Sequence, residues 1–133
     1  MAVTKEKFTI NSLGFNDAVD ILPKVRRILQ NSNIERGLLN IYANSKTSAV
    51  FVGDFEDFSK LNNFFDKSIK STDNTAGAEF YKLILNYKSY FFKSSLLLPV
   101  ENSDILINNQ DGIYFIDFEN DRKAKEIIVS IIN

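Results

Sequence analysis

Residues 94–132 constrain the fold more than any other part of the chain. Four short apolar runs follow one another there: SSLLLPV (94–100), ILIN (105–108), IYFIDF (113–118) and KEIIVSII (125–132). They are separated by ENSD (101–104), NNQDG (108–112) and, before the last run, ENDR (119–122) with Lys123 and Ala124. Runs of this length, rich in β-branched and aromatic residues and bounded by Asn, Asp, Ser and Gly, read as strands. Connections so short leave no room for a crossover helix, so neighbouring strands should be antiparallel. Pro99 is expected to end the first of them.

The N-terminal part mixes both periodicities. KFTI (7–10) reads as a strand. DILPKVRRILQN, from Asp20, reads as a helix with Pro23 in its first turn. Leu22, Val25, Ile28 and Leu29 share one face, and Lys24, Arg26 and Arg27 face water. GLLNIYA (37–43) and TSAVFVG (47–53) are strands joined by Asn44, Ser45 and Lys46, a hairpin or a tight corner. DFEDFSKLNNFFDKSI (54–69) is a second helix, with Phe58, Leu61, Phe64, Phe65 and Ile69 at helical spacing. Ser71–Gly77 is a loop, and AEFYKLILNYKSYFFK (78–93) is helical in its first half and strand-like in its second. The expected architecture is one α+β domain over 1–133, mainly antiparallel strands with two or three helices.

Composition removes whole classes of chemistry. The 133 residues contain no histidine and no cysteine, which excludes an imidazole base, a thiolate nucleophile and any His/Cys metal site. A net charge of −1 gives no general footprint for nucleic acid. The start, MAVTKEKFTINS, has no signal-peptide core, and no apolar run approaches the roughly 18–20 residues of a spanning helix. The expectation is a cytoplasmic, soluble protein with neither nucleic acid nor membrane as partner.

Four stretches, in order, carry a resemblance: GLL (37–39) leading into KTSAVFV (46–52), then YKSYFFKSSLLLPV (87–100), then DGIYFIDF (111–118). LGFNDAVDIL (13–22) adds an opening segment. Together they resemble the YjbQ-like family, also called secondary thiamine-phosphate synthases. That family shows an H-T-S-A strand start, an H-I-K-S-S-L-L-G-S-S-L-x-x-P-V block and a G-T-W-Q-G-I-Y-L strand. The resemblance implies a YjbQ-like α+β sandwich, a homotrimer, and a metal and substrate site built from histidines and acids. Weak thiamine-phosphate synthase activity is attributed to some members.

The departures fall on that site. Lys46, Asn86 and Asn16 stand where the family has histidines, and Leu13 replaces an arginine. In the acidic stretch only Gly77 and Glu79 have counterparts. Asp111 and Gln110 replace Gln and Trp, while Tyr90 and Lys93 replace Ser and Gly and suggest a filled cleft. Gly37, Thr47, Ser48, Ala49, Lys88, Ser89, Ser94, Ser95, Pro99 and Gly112 are kept. An ammonium at 46 cannot ligate a metal, so the expected metal site is none and the expected cofactor none.

Two functional readings follow. In the first, the chain is a diverged, non-catalytic YjbQ-like protein acting in binding or oligomeric assembly. In the second, Lys46, Thr47, Ser48, Asn86, Lys88 and Ser89 form a metal-independent anion pocket for a phosphorylated, thiamine-phosphate-like small molecule. In an enzymatic version of it, Lys46 and Asp111 are the weak catalytic candidates. Asp111 next to Gly112 equally suits a turn. An oxygen-only metal site at Asp54, Glu56 and Asp57 competes with the ordinary preference of acids for a helix start. The mix of aromatics with Lys82, Lys88 and Lys93 reads as core packing more readily than as a single-strand binding face.

Overall fold

The computed structural model describes residues 3–11, 17–70, 93–119 and 123–133, with the side chains of all of these except 17 and 64–70. The elements run β1 (Val3–Asn11), β2 (Asp17–Asp20), α1 (Leu22–Ser32), β3 (Gly37–Ala43), β4 (Ser48–Gly53), α2 (Phe55–Lys70), β5 (Ser95–Glu101), β6 (Asp104–Ile105), β7 (Gly112–Asp117) and β8 (Ala124–Ile132). They form a five-stranded sheet in the order β1-β8-β3-β5-β6 and a three-stranded sheet in the order β2-β7-β4. Every pairing among the described residues is antiparallel. The α+β class is as expected, but among the described residues only β5 and β6 of the consecutive strands in the 94–132 run pair with each other; β7 lies in the smaller sheet and β8 returns to the larger one.

One face of the larger sheet packs against α1 and the smaller sheet. Leu39, Ile41, Leu98, Val100, Ile127, Val129 and Ile131 meet Val25, Ile28 and Leu29 of α1 and Val50, Ile113 and Phe115 of the smaller sheet in one buried cluster. Each such side chain contributes about 1.5–3 kcal/mol on burial. The other face of the smaller sheet carries Ala49, Ile116 and, just beyond β7, Phe118, and Phe58 of α2 packs on them. That is why β7 reads as an almost unbroken apolar run: both its faces are covered.

The helix α1 starts on Pro23 and on Asp20, whose Oδ1 accepts the Leu22 N–H at 3.0 Å. It buries the four residues its spacing indicated. Gly37 opens β3 where any Cβ would run into the Ile132 carbonyl oxygen, so only glycine lets β3 lie this close to β8.

Several local expectations are corrected. Of the two alternatives for the link between 37–43 and 48–53, the corner holds, because the strands belong to different sheets. Pro99 lies inside β5 and does not end it. Its carbonyl accepts the Leu106 N–H at 2.9 Å. In an antiparallel ladder a residue's N and O point the same way, so the missing N–H faces the chain after β6 and costs β3 no bond. The strand expected at 105–108 is only Asp104–Ile105, joined to β5 through Asn102 and Ser103, both at positive φ, in a tight two-residue turn. In the described part of the α2 stripe Phe58 is buried as expected, but Leu61 is exposed and Asn62 is buried instead; the side chains of Phe64, Phe65 and Ile69 lie outside the described residues. The strand β2 has no counterpart in the sequence reading. Segment 78–93 lies outside the described residues up to 92.

On the outer face of the larger sheet, register aligns Val3, Ile132, Leu38 and Pro99 in one row across four strands. Val3, Leu38 and Ile132 remain 59%, 45% and 39% exposed, with Leu97 and Leu106 exposed beside them.

Candidate functional site

The corner between β3 and β4 forms one wall of a cleft of about 640 Å³, and the start of β5 forms the other. Its described lining is Tyr42, Asn44, Ser45, Lys46, Lys93, Ser94 and Ser95. It therefore holds two ammonium groups, four hydroxyls and an amide. No described carboxylate lines it, and among the described residues neither lysine makes an ion pair.

The corner is held from behind. The Asn44 N–H donates to the Glu126 carbonyl at 3.0 Å, and its Nδ2 donates to Glu126 Oε1 at 3.2 Å. Ser45 Oγ accepts the Thr47 N–H at 3.2 Å and lies 3.3 Å from Thr47 Oγ1. Thr47 Oγ1 donates to Glu119 Oε2 at 3.0 Å, and Lys125 Nζ donates to the same oxygen at 2.9 Å. Because the Thr47 proton goes to Glu119, its oxygen is left to accept from Ser45, and the chain of donors runs from the cleft inward. The Lys125 ammonium, aided by the Thr47 hydroxyl and opposed by burial, holds the Glu119 carboxyl below its ordinary value. Lys125 is 9% exposed and Glu119 36%, so the lysine depends on the pair more than the glutamate does.

The sequence candidates separate on this frame. Lys46 lines the cleft. Thr47 belongs to its support, bonded to Glu119. Ser48 is fully buried at the start of β4, opposite Asp117. Asn86, Lys88 and Ser89 lie outside the described residues. Asp111 stands just before Gly112, which pairs with Gly53, whereas Lys46 stands near Ser48 at the other end of the same two strands. A six-residue strand spans about 17 Å, so Lys46 and Asp111 are not brought together. Asp111 closes the local turn instead: its N–H donates to the Asn108 carbonyl at 3.0 Å and its Oδ2 accepts from Asn108 Nδ2 at 3.4 Å.

Asp54 acts as a helix cap, with its Oδ1 accepting the Glu56 N–H at 2.7 Å, and Glu56 pairs with Lys60 at 3.6 Å. Among the described residues no group of three His, Cys, Asp or Glu is placed to hold a metal ion. Among them, too, no helix is long and apolar enough to cross a membrane. Lys93 is the residue that sequence reasoning undervalued. The sequence reading makes it a filler of the cleft; its signals are its place before the Ser94–Ser95 pair and the glycine that the family has at this position.

Comparison with known proteins places the chain in a family. The family model described as UPF0047 protein YjbQ-like matches residues 6–133. The chain belongs to the YjbQ-like family. A UPF0047 protein of Methanothermobacter thermautotrophicus is 25% identical over 130 residues, covering 94% of this chain and 90% of that one. The fold is shared with a YbjQ-like protein of unknown function from Sulfolobus solfataricus, with a TM-score of 0.81 and 18% identity over 98% of this chain and 96% of that one. A YjbQ/UPF0047 protein from Clostridium acetobutylicum gives a TM-score of 0.84 and 17% identity over 96% and 99% of the two chains. This YjbQ-like chain thus keeps the family fold with no histidine anywhere in it.

Proposed function

We propose that this YjbQ-like protein is a non-catalytic binder of a phosphate-bearing small molecule, held in the cleft at the β3–β4 corner. One observation carries the reading: Lys46 stands in a concave site with hydroxyl donors and no described carboxylate. Ammonium and hydroxyl groups supply charge and donors for phosphate oxygens. The described lining also lacks an imidazole or carboxylate to move a proton near neutral pH, which favours binding over chemistry. A thiamine-phosphate-like compound is one member of the ligand class. The test is calorimetric titration with inorganic phosphate and with thiamine phosphate, on the native protein and on Lys46→Met. Loss of one charge-assisted contact should weaken binding about tenfold or more. Equal affinity in the two proteins would refute the reading.

A second reading, assembly into a homotrimer, is favoured by the exposed row Val3, Leu38 and Ile132 with Leu97 and Leu106. Contiguous apolar surface of this kind commonly marks an interaction face. Light scattering after size exclusion should give a trimer mass, and Leu38→Glu should lower it. A monomer at micromolar concentration would exclude assembly.

A further inference from the structure

Lys93 precedes β5 with its backbone at φ 71. In that left-handed region a Cβ crowds the neighbouring carbonyl, and glycine is the residue that accepts it without penalty. The other described non-glycine residues at positive φ are Asn33, Asn102 and Ser103. Each has a local reason: Asn33 ends α1, and Asn102 and Ser103 make the β5–β6 turn. Short polar side chains tolerate this conformation by bonding to nearby backbone, and a lysine does not.

The surrounding structure holds Lys93 there. Its carbonyl accepts the Val50 N–H at 3.1 Å, and the next carbonyl, of Ser94, accepts the Ala43 N–H at 2.8 Å. Two consecutive residues thus bond to the two different sheets, which fixes the backbone whatever side chain it carries. Apolar burial does not offset the strain, because the Lys93 side chain is exposed. It makes no ion pair among the described residues and lines the same cleft as Lys46. Strain kept at a charged residue facing a cleft is the pattern expected where the charge is used.

We infer that Lys93 is the second anion-binding cation of the cleft, and that Lys46 and Lys93 together select a ligand carrying at least two negative charges, a phosphate monoester or a diphosphate, over a carboxylate. This rests on the binding reading above and names its second anchor. Ser94 and Ser95, on the same wall, supply hydroxyl donors beside it.

The experiment titrates inorganic diphosphate and acetate into the native protein, Lys93→Gly, Lys93→Asn and Lys46→Met, and records Tm without ligand. Lys93→Gly should raise Tm by about 3 °C as the strain is released. It should also weaken diphosphate binding about tenfold or more while leaving the weak acetate response unchanged. Lys93→Asn should lose the same affinity. If Lys46→Met abolishes diphosphate binding and both position-93 variants retain it, the assignment of Lys93 is overturned and the cleft reading stands. If the native protein binds no diphosphate, both fall. A lowered Tm in Lys93→Gly would remove the strain argument and the assignment with it.

Discussion

The strands β4 and β7 run side by side, and their two ends are built from different physics. At the Gly53–Gly112 end, rings dominate. Phe51 stacks on Phe58 with centroids 4.3 Å apart and on Tyr114 at 5.1 Å, and Phe55 lies 5.5 Å from Tyr114. A Cβ on Gly112 would meet the Tyr114 ring, so that glycine makes room for the stack. Burial first, then the charges of Asp20 and Asp54, push the Tyr114 hydroxyl above its ordinary value. At the Ser48–Asp117 end, hydrogen bonds and one ion pair dominate, and a cleft opens beside them. The ring end ties α2 to the sheet. The polar end orients groups toward solvent and so is the end able to recognise a ligand.

The comparison breaks most visibly at Phe58. Phe58→Ala removes a buried ring that covers Ala49, Ile116 and Phe118, and should cost about 3–4 kcal/mol in urea unfolding. Phosphate affinity should hardly change, because Phe58 packs on the α2 side of the smaller sheet and does not line the cleft; a joint loss would show that this packing and the cleft are coupled.

The polar end predicts smaller and unequal effects. Glu119→Gln leaves Lys125 buried beside a neutral partner and should cost about 1–2 kcal/mol, whereas Lys125→Met leaves a glutamate that water can reach and should cost less. The reverse order would place the dependence on the wrong partner. The pair also sets a pH dependence. The folded carboxyl of Glu119 titrates below its unfolded value, so its contribution is fully present above the unfolded value and is lost as pH falls through the folded one. The stability gap between the native protein and Glu119→Gln should therefore close in acid, and a gap constant across that range would contradict the pairing.

How much of this was legible in the sequence varies with how local its cause is. Leu22, Val25, Ile28 and Leu29 were readable because one helix face obeys one period and one neighbour, and β3 because Gly37 and its apolar run mark it. Leu61 and Asn62 were not, because which side of α2 meets the sheet there depends on Phe58 stacking on Phe51 of another element. Pro99 misled because its nitrogen faces an edge, which depends on where β6 turns back. At the site, Lys46 could be placed from the corner that carries it. Lys93 was harder to place, because its distinguishing property is a backbone angle imposed by bonds to two sheets, and only the family's glycine at that position, not the lysine itself, hints at it. Thr47 looked like a ligand group and is a brace, since Glu119 lies far along the chain.

The position of β8 has a consequence for how the molecule comes to exist. It lies between β1 and β3 and is the only described partner of β1. As the ribosome works from the first strand toward the last, β1 and β3 have no strand to join them until β8 emerges, and Leu39 and Ile41 stay without their cover from Ile127, Val129 and Ile131. At about 5–20 residues per second the wait lasts many seconds, and pairing across so much chain is slow in itself. The exposed β1 and β3 edges make that interval the time of greatest risk for aggregation, so a chaperone that shields nascent strands should raise the yield of this protein more than that of an all-helical chain of equal length.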